Sequence, residues 1–244
     1  MLNCLKNESF SWYWSFPSLT YNSHYNSCQP VKLYLPVKIE SHRFSTGDLI
    51  GGDAALDFVN TVTGRDQSPR DWLDSYTRLL EWAALVHLLP EKILRALTRK
   101  AKSEPTSAAA ALARAKVFRE TLFALITGIV SGSAPPKAML AVLREHWIAG
   151  INAHELRFDH GHVVAELRSD AANFDLIASM IAYRMVEHVL TLPTDRLRIC
   201  HGPNCSWLFI DSSKAGRRRW CDMGVCGNDA KSRRFHARLR QRRK

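Results

Sequence analysis

The sequence predicts a mainly α-helical protein: a helical N-terminal domain with one β-hairpin, followed by a small C-terminal module of α+β type. Three observations support this fold class. Between residues 68 and 193, apolar side chains recur every three to four positions, the spacing of helices buried on one side. One stretch around Gly161 alternates between polar and apolar residues instead. After residue 199, two cysteine pairs stand at the spacing of metal ligands.

Residues 1–45 differ in composition from the rest of the chain. Asn, Ser, Tyr and Trp crowd together there, as in the run Trp12-Tyr13-Trp14, and no helical or strand period is sustained. We predict a poorly ordered N-terminal extension, with an aromatic tail that docks on a partner as the alternative. Cys4 and Cys28 in this segment are predicted to be free thiols without a role.

Residues 46–193 are predicted to form the helical domain. Its helix starts are indicated by capping residues or by prolines at the first turn. The last helix is predicted to end before Pro193. The predicted starts are Ser68-Pro69-Arg70-Asp71, Pro90, Thr106 or Ser107, Pro135-Pro136, and Asp170.

The predicted hairpin has its turn at Asp159-His160-Gly161-His162. Leu156-Arg157-Phe158 precedes this turn, and Val163-Val164-Ala165-Glu166-Leu167 follows it. The nearby histidines His154, His160 and His162 suggest a second metal site as one interpretation. Solvated turn histidines are the favoured one, because no acid or cysteine completes a set of ligands at a known spacing.

The start of the helical domain resembles a known module. Leu56-Asp57-Phe58-Val59-Asn60-Thr61, after the loop Gly51-Gly52-Asp53, is similar to the opening of the ABATE domain, a helical module that commonly precedes a zinc finger. Asp57 and Asn60 are three residues apart and would share one helix face. They are predicted either to fix the next loop by local hydrogen bonds or to line a pocket for a small ligand.

The helical domain carries no recognisable catalytic motif. A nucleophile elbow, a phosphate-binding loop, an HExxH sequence and a dinucleotide fingerprint are all missing from the sequence. We therefore predict that the protein is not an enzyme. No run approaches the ~20 apolar residues of a membrane span, and the first residues do not read as a signal peptide, so the predicted location is the cytoplasm, without a membrane partner.

Two cysteine pairs, Cys200 with Cys205 and Cys221 with Cys226, define the C-terminal module of residues 194–244. Each pair spans one tight turn, and a hairpin-length insert separates the two. Four thiolates fill the tetrahedral shell of Zn²⁺, so we predict one structural zinc ion with no open coordination position. Two disulfides are the alternative, and they would need an oxidising compartment.

The cysteine module resembles the CGNR zinc finger family. The resemblance covers residues 200–234 and rests on the four cysteines, Ser206-Trp207-Leu208-Phe209-Ile210-Asp211, Gly216-Arg217-Arg218-Arg219-Trp220 and Cys226-Gly227-Asn228. It implies a bacterial protein that binds DNA in transcription regulation. The chain departs from the family at the motif that names it, because Asp229 stands where the family has arginine.

The order of elements in the module indicates a treble-clef-like zinc finger. Arg196-Leu197-Arg198-Ile199 reads as a strand that leads into the first knuckle. Trp207-Leu208-Phe209-Ile210 is predicted to pair with Arg218-Arg219-Trp220, and a helix is predicted to open at Gly227-Asn228 with Asn228 as its cap.

The basic charge of the chain is concentrated in this module. Residues 196–244 hold 14 Lys/Arg and 3 Asp/Glu, whereas residues 1–195 hold 20 of each. Such a dense patch predicts binding to a polyanion, most simply nucleic acid. The triplet at 217–219 is equally expected to screen the charge of the zinc-tetrathiolate. The predicted nucleic-acid contacts are Arg217, Arg218, Arg219, Lys231, Arg233, Arg234, Arg238 and Arg240.

Four other residues of the module are expected to be structural. Trp207 and Trp220 are predicted to form the small core of the finger rather than to stack on bases. Phe235 and Leu239 form a thin apolar stripe on the last helix, which is expected to pack while the rest of that helix stays basic.

Together these features predict a zinc-finger DNA-binding protein, a bacterial transcription regulator whose helical domain senses a ligand or a partner. Duplex DNA is the expected partner. RNA binding and a zinc-stabilised protein-interaction module are the alternatives. No heptad seam indicates a coiled-coil dimer, and the sequence predicts no oligomeric state.

Overall fold

The structure is a computed structural model that describes residues 37–242 of the 244-residue chain. Six helices and two small sheets form the larger part of the fold. The helices are α1 (Ala54–Val59), α2 (Tyr76–Leu85), α3 (Glu91–Ser103), α4 (Pro105–Val130), α5 (Lys137–Asn152) and α6 (Leu176–Arg184). Strands β1 (Lys38–Ile39), β2 (Val62–Thr63) and β3 (Arg70–Asp71) form one sheet, and β4 (His154–Asp159) and β5 (His162–Leu167) form a hairpin.

The C-terminal module adds a two-stranded sheet and a helix. Strand β6 (Leu197–Ile199) pairs antiparallel with β7 (Leu208–Ile210), and α7 (Asn228–Arg242) ends the described chain. The mainly α fold with one hairpin and a small α+β finger is therefore confirmed. Among the described residues, no helix is both long and apolar enough to cross a membrane.

Helix α4 lies at the centre of the hydrophobic core. It has 26 residues, and its buried positions include Leu112, Phe118, Leu122 and Ile126. Helices α5 and α6 pack closely at Gly150, because a Cβ there would lie only 2.6 Å from the Ser179 carbonyl oxygen. A helix glycine usually costs stability, and here it permits the close crossing.

The finger shares this core. Leu197 on β6 is 2% exposed and Leu208 on β7 is fully buried, and both belong to the same hydrophobic cluster as the helices. The described residues, 37–242, accordingly belong to one compact unit. The predicted domains at 46–193 and 194–244 are thus packed together rather than joined by a free linker.

The described part of the predicted N-terminal extension packs on the helical domain. Strand β1 pairs in parallel with β3, and the His42 ring stacks on Trp72 with 4.0 Å between ring centroids. Residues 1–36, including Cys4 and Cys28, lie outside the described residues, so the prediction made for them stays a prediction.

Two predicted helix starts are wrong. Arg70 and Asp71 form β3 rather than a first helical turn, and α2 begins after Ser75, whose hydroxyl accepts the Arg78 N–H (3.1 Å). The cause is Asp71: its carboxylate forms a buried ion pair with Arg119, so it is not available to hydrogen-bond the first turn of a helix.

Asp170, predicted to start the last long helix, instead pairs with Arg168 on the surface. Helix α6 begins at Leu176, after Asp175. The long α4 begins at Pro105, one or two residues before the predicted caps.

Candidate metal centre and basic cleft

Strand β6 leads directly into the first cysteine pair. The Cys200 N–H donates to the Trp207 carbonyl (2.7 Å), so Cys200 lies at the end of the β6–β7 pairing. The chain then turns through Gly202 and returns with Cys205 just before β7. A Cβ on Gly202 would lie 2.7 Å from the Cys226 Sγ, so only glycine fits this turn.

The second cysteine pair is built around a wide helical turn, Met223–Gly227, that precedes α7. Cys221 lies before this turn and Cys226 lies within it. The Asp222 carboxylate caps the turn by accepting the Val225 N–H (2.7 Å). The helix is found where it was predicted, but Asn228 is its first residue rather than its cap, and Asp222 does the capping.

The two pairs bring four sulfur atoms together. All four Sγ atoms lie within 4.8 Å of one another; Cys205 and Cys221 are 3.7 Å apart, and Cys221 and Cys226 are 3.6 Å apart. A tetrahedron with metal–sulfur bonds of about 2.3 Å has edges of about 3.8 Å. The sulfur atoms therefore have the spacing of a tetrahedral four-cysteine metal site.

The protonation of the cysteines also fits a cation site. Hydrogen bonding with Cys205 lowers the pKa of Cys200 to about 2. Hydrogen bonding with the Cys200 sulfur raises the pKa of Cys205 and Cys221, and burial raises the pKa of Cys226. Four sulfurs this close cannot all ionise unless a positive charge compensates them, and Zn²⁺ would supply that charge.

The first knuckle and strand β7 are hydrogen-bonded to the helical domain. The Asn60 side chain makes two bonds to one backbone unit: its amide donates to the Leu208 carbonyl and its oxygen accepts the Leu208 N–H, both at 2.8 Å. The Gly64 N–H donates to the Cys205 carbonyl (3.1 Å). A zinc ligand is thus tied directly to residues of the first domain.

Asp57 holds the loop beside this contact. It is 7% exposed and accepts the Gly51 N–H at 2.7 Å, and burial raises its pKa to about 7. Gly51 in turn accepts the Ile210 N–H from β7 (2.9 Å). These contacts give Asp57 and Asn60 a structural role across the two domains; the ligand pocket predicted for them stays a prediction.

Two adjoining cavities, of about 350 Å³ and about 340 Å³, lie beside the first cysteine pair, since His201, inside that pair, lines both. We call them together the basic cleft. Arg219 is the second residue that both cavities share. The first is lined by Val130, Arg198, Ile199, His201, Arg217, Arg218 and Arg219; the second is lined by His201, Pro203, Arg219, Trp220, Ala230, Arg233 and Arg234.

Arg218 is held at both its backbone and its side chain. Its backbone N–H donates to the Asp211 carboxylate (2.7 Å), its guanidinium donates to the Cys221 carbonyl, and the guanidinium carbon lies 4.9 Å from the centre of the Phe209 ring. These bonds fix the segment before the second knuckle as a loop. The strand pairing predicted between Trp207–Ile210 and Arg218–Trp220 is therefore wrong, because β6 is the partner of β7.

Trp220 lies beside two other arginines of the cleft. Arg219 lies 5.6 Å and Arg234 5.9 Å from the centre of its ring. Trp207 is 8% exposed in the small core with the cysteines, and Trp220 is partly buried against the same core, as predicted for both. The ring therefore contacts one arginine from the loop before the second knuckle and one from α7.

Most of α7 projects into solvent. Lys231, Arg238 and Arg240 are exposed, and the predicted packing of the apolar stripe is wrong, since Phe235 is 60% and Leu239 37% exposed. The helix contacts little of the described chain beyond the turn before it. Within the described residues, no hydrophobic surface packs against Phe235 and Leu239, so both stay exposed to solvent.

Asp229 occupies the first turn of α7. Its carboxylate lies 3.4 Å from the Arg233 guanidinium, one turn later on the same face. Both side chains are about half exposed, so the pair contributes little stability. Its main effect is on charge, because it neutralises one cation of the basic cleft.

The histidines near the hairpin are not brought together. His154 Nδ1 lies 2.8 Å from the Gly150 carbonyl, and His160 pairs with its neighbour Asp159. Over the described part of the chain, the four-cysteine cluster is the one group of side chains arranged to hold a metal ion.

Two cleft residues were missed by the sequence analysis. Arg198 lies on β6, and His201 lies inside the first cysteine pair. The alternation of Arg196 to Ile199 predicted a strand, but the sequence did not show that Arg198 lines the same cavity as the arginines at 217–219.

Comparison with known families agrees with this geometry. The model of the ABATE family, described as "Putative stress-induced transcription regulator", matches residues 52–191, and that of the CGNR zinc finger matches residues 196–239. Among curated proteins, none matches the chain. Both resemblances noted in the sequence are thus confirmed, in the predicted order. Since the first match spans more than half of the 244 residues, the chain belongs to the ABATE family and carries a CGNR zinc finger with a four-cysteine metal site.

Proposed function

We propose that this protein is a transcription regulator that binds duplex DNA through its zinc finger, with the basic cleft as the contact surface. The observation that carries the proposal is that arginines from three parts of the finger line two adjoining cavities: Arg198 from β6, Arg217 and Arg219 from the loop before the second knuckle, and Arg233 and Arg234 from α7. A groove lined by one sign of charge attracts a polyanion more strongly than scattered charges do.

The cleft contributes more than net charge. Arg219 and Arg234 lie beside the Trp220 ring, which limits the conformations of two long side chains before they meet a ligand. Ordering such side chains on binding usually costs about 0.5–1.5 kcal/mol each. Because Trp220 already restricts Arg219 and Arg234 in the free protein, part of this ordering cost does not arise on binding. DNA contacts are therefore favoured at these two arginines over the exposed end of α7.

Zinc supports this surface indirectly. A metal ion bound by Cys200, Cys205, Cys221 and Cys226 would hold together the two knuckles. His201 lies within the first knuckle and Arg219 lies two residues before the second, so the ion would fix the separation of these two cleft residues. The ion itself has no open position for a substrate or a water molecule once four thiolates bind it. A structural metal beside a basic surface favours a binding protein rather than an enzyme. Thiolates that bind zinc must stay reduced, which supports a cytoplasmic location.

The helical domain is positioned to influence the finger. The double hydrogen bond of Asn60 to Leu208 and the bond from Gly64 to Cys205 link the start of that domain to the first knuckle. A ligand or partner that moved α1 or the loop after it would therefore move a zinc ligand. These contacts support the sensing role as part of the same proposal.

The test is the affinity of the zinc-loaded protein for random-sequence duplex DNA across a series of salt concentrations, with fluorescence anisotropy as the readout. If about five phosphates are contacted, the slope of log K against log salt is expected near −4 to −5. A slope near zero would contradict an electrostatic contact surface.

Structured RNA, added as a competitor in the same titration, distinguishes the two nucleic acids. At equal nucleotide concentration, RNA is expected to displace little of the duplex DNA from the protein. Efficient displacement would favour RNA as the partner. Failure to bind either nucleic acid at low salt would favour an acidic protein surface instead.

A further inference from the structure

The hairpin β4–β5 is exposed to an unusual degree. Leu156 and Phe158 are each 77% exposed and Val163 is 67% exposed. Within the described chain, the two strands pair only with each other. A two-stranded hairpin is marginally stable in water unless further strands or a packed face support it, so this one has the properties of an element that is completed by another chain.

The exposed apolar residues lie on one face. The register places Phe158 opposite Val163 and Leu156 opposite Ala165, and directly opposed residues project to the same side of a sheet. Leu167, at the base of this face, packs against the main core. The apolar face therefore begins at the core and continues outward without a cover.

The outer edge of β4 is free to pair. From residue 155 to residue 159 every position is exposed, and the strand contains no proline. The two-residue turn has positive φ at His160 (44°) and Gly161 (87°), as a type I′ turn requires. In such a hairpin the residues that flank the turn are hydrogen-bonded to each other, so the backbone groups of Leu156 and Phe158 point away from β5.

We propose that β4 pairs antiparallel with β4 of a second copy of this chain, about a two-fold axis at Leu156. The two hairpins then form one four-stranded sheet with a continuous apolar face. A two-fold contact of this kind is self-complementary, which is the commonest arrangement in homodimers.

The charges on β4 select this register. With the axis at Leu156, Glu155 lies directly opposite the partner's Arg157, and the same pair repeats on the other side of the axis. Glu155 makes no ion pair within the described residues, so its charge is available. Shifting the axis by one residue to Arg157 would oppose two arginines and would place Glu155 opposite the partner's Asp159. Opposite charges stabilise a directly facing pair and like charges destabilise it.

The partner is therefore a second copy rather than an unrelated protein, because one short strand supplies both members of each pair. The edge of β5 offers a weaker match: its exposed residues are His162, Val163, Ala165 and Glu166, and Glu166 is already paired with Arg157. This inference does not depend on the proposed DNA binding.

The test is sedimentation equilibrium of the full chain and of two single variants, Glu155→Arg and Arg157→Glu. The native chain is expected to dimerise. Each variant places like charges opposite each other at both pairs, so its dimer dissociation constant is expected to rise at least about tenfold. An equimolar mixture of the two variants restores both opposite-charge pairs, and it is expected to regain the native dimer affinity as a heterodimer.

Two controls keep the result specific. Glu145→Arg makes the same charge change on the exposed side of α5 and is expected to leave the dimer unchanged. Glu155→Arg replaces the like-charged pair of Glu155 with Glu166 inside the hairpin, so its thermal unfolding, compared at a concentration at which the native chain is monomeric, is expected to be no less stable than that of the native chain. A native chain that is monomeric at every concentration, a dimer unaffected by Glu155→Arg, or a mixture that fails to re-associate would each overturn the proposal.

Discussion

Replacing Cys221 by serine is expected to abolish the folded finger and to destabilise the helical domain with it. The Cys221 sulfur lies 3.7 Å from that of Cys205 and 3.6 Å from that of Cys226, so it touches both sides of the site. Structural zinc typically contributes roughly 10–16 kcal/mol of apparent binding energy. Losing one of four thiolates is expected to weaken zinc binding by more than about 100-fold, beyond the loss seen when only an outer hydrogen-bonding partner is removed.

The effect should spread because the finger and the helices share a core. Leu197 and Leu208 are buried in the same cluster as α1 and α4, and Asn60 is bonded to Leu208. Native protein should unfold in a single thermal transition, and both the substitution and a strong chelator should lower its midpoint. Bound zinc by elemental analysis and unfolding by far-ultraviolet circular dichroism are the measurements.

Cys28→Ser is the matched control: Cys28 is not among the four predicted zinc ligands, so this variant should retain one zinc ion and the native midpoint. If the helices unfolded at the same temperature with and without zinc, the two modules would be energetically independent, contrary to the shared core.

Arg119→Ala is expected to cost about 3–5 kcal/mol of unfolding free energy. Arg119 is 3% exposed, and its guanidinium donates two hydrogen bonds of 2.9 Å to Asp71, a residue of similar burial. It also donates to the Thr61 hydroxyl (3.0 Å). Removing it leaves a buried carboxylate with Lys116 as its remaining cation. Urea unfolding at neutral pH is the measurement.

Arg114→Ala provides the comparison on the same helix. Arg114 pairs with Asp175 at 2.9 Å, but the two side chains are 54% and 43% exposed. Exposed pairs contribute about 0–1 kcal/mol. If both variants lost the same free energy of unfolding, the buried pair of Arg119 with Asp71 would contribute no more to stability than the exposed pair of Arg114 with Asp175.

The Arg119 effect should also depend on pH. Burial raises the pKa of Asp71, but Arg119 more than offsets this, and the net pKa is lowered to about 2. The usual pKa of an aspartate in an unfolded chain is about 3.9. The stabilisation is therefore complete above that value and is lost as pH falls towards 2. The difference between native protein and Arg119→Ala should shrink over this range.

The sequence identified the parts of the fold whose signals are local. The metal site could be predicted because the short spacing within each cysteine pair, Cys200 with Cys205 and Cys221 with Cys226, is itself the pattern of metal ligands. The hairpin could be predicted because its signal, the turn at Gly161, is equally local. The first predicted helix start was wrong because the Asp71 carboxylate accepts hydrogen bonds from Arg119, which lies 48 residues later in the sequence. A capping pattern cannot reveal that competition.

The site itself was predicted less completely than its ligands. The basic residues were recognised from composition, but the different roles of their side chains were not. The Arg218 guanidinium donates to the Cys221 carbonyl, whereas those of Arg219 and Arg234 both lie beside the Trp220 ring. Asn60 was recognised as a notable polar residue, yet its partner, Leu208, lies 148 residues later. Contacts of that separation depend on the packed fold and leave no pattern in the sequence.

The measurement that tests the central claim most directly compares two variants that lose the same charge: Arg219→Ala/Arg234→Ala in the basic cleft and Arg238→Ala/Arg240→Ala on the exposed end of α7. Zinc content and thermal midpoint should be unchanged in both. In the duplex-DNA salt series, the cleft variant is expected to lose at least about tenfold in affinity at moderate salt and to show a shallower slope, and the distal variant is expected to lose less. Equal losses of DNA affinity in the two variants would mean that binding depends only on the net charge of the finger. A larger loss of affinity in the distal variant would contradict the cleft as the DNA-binding surface.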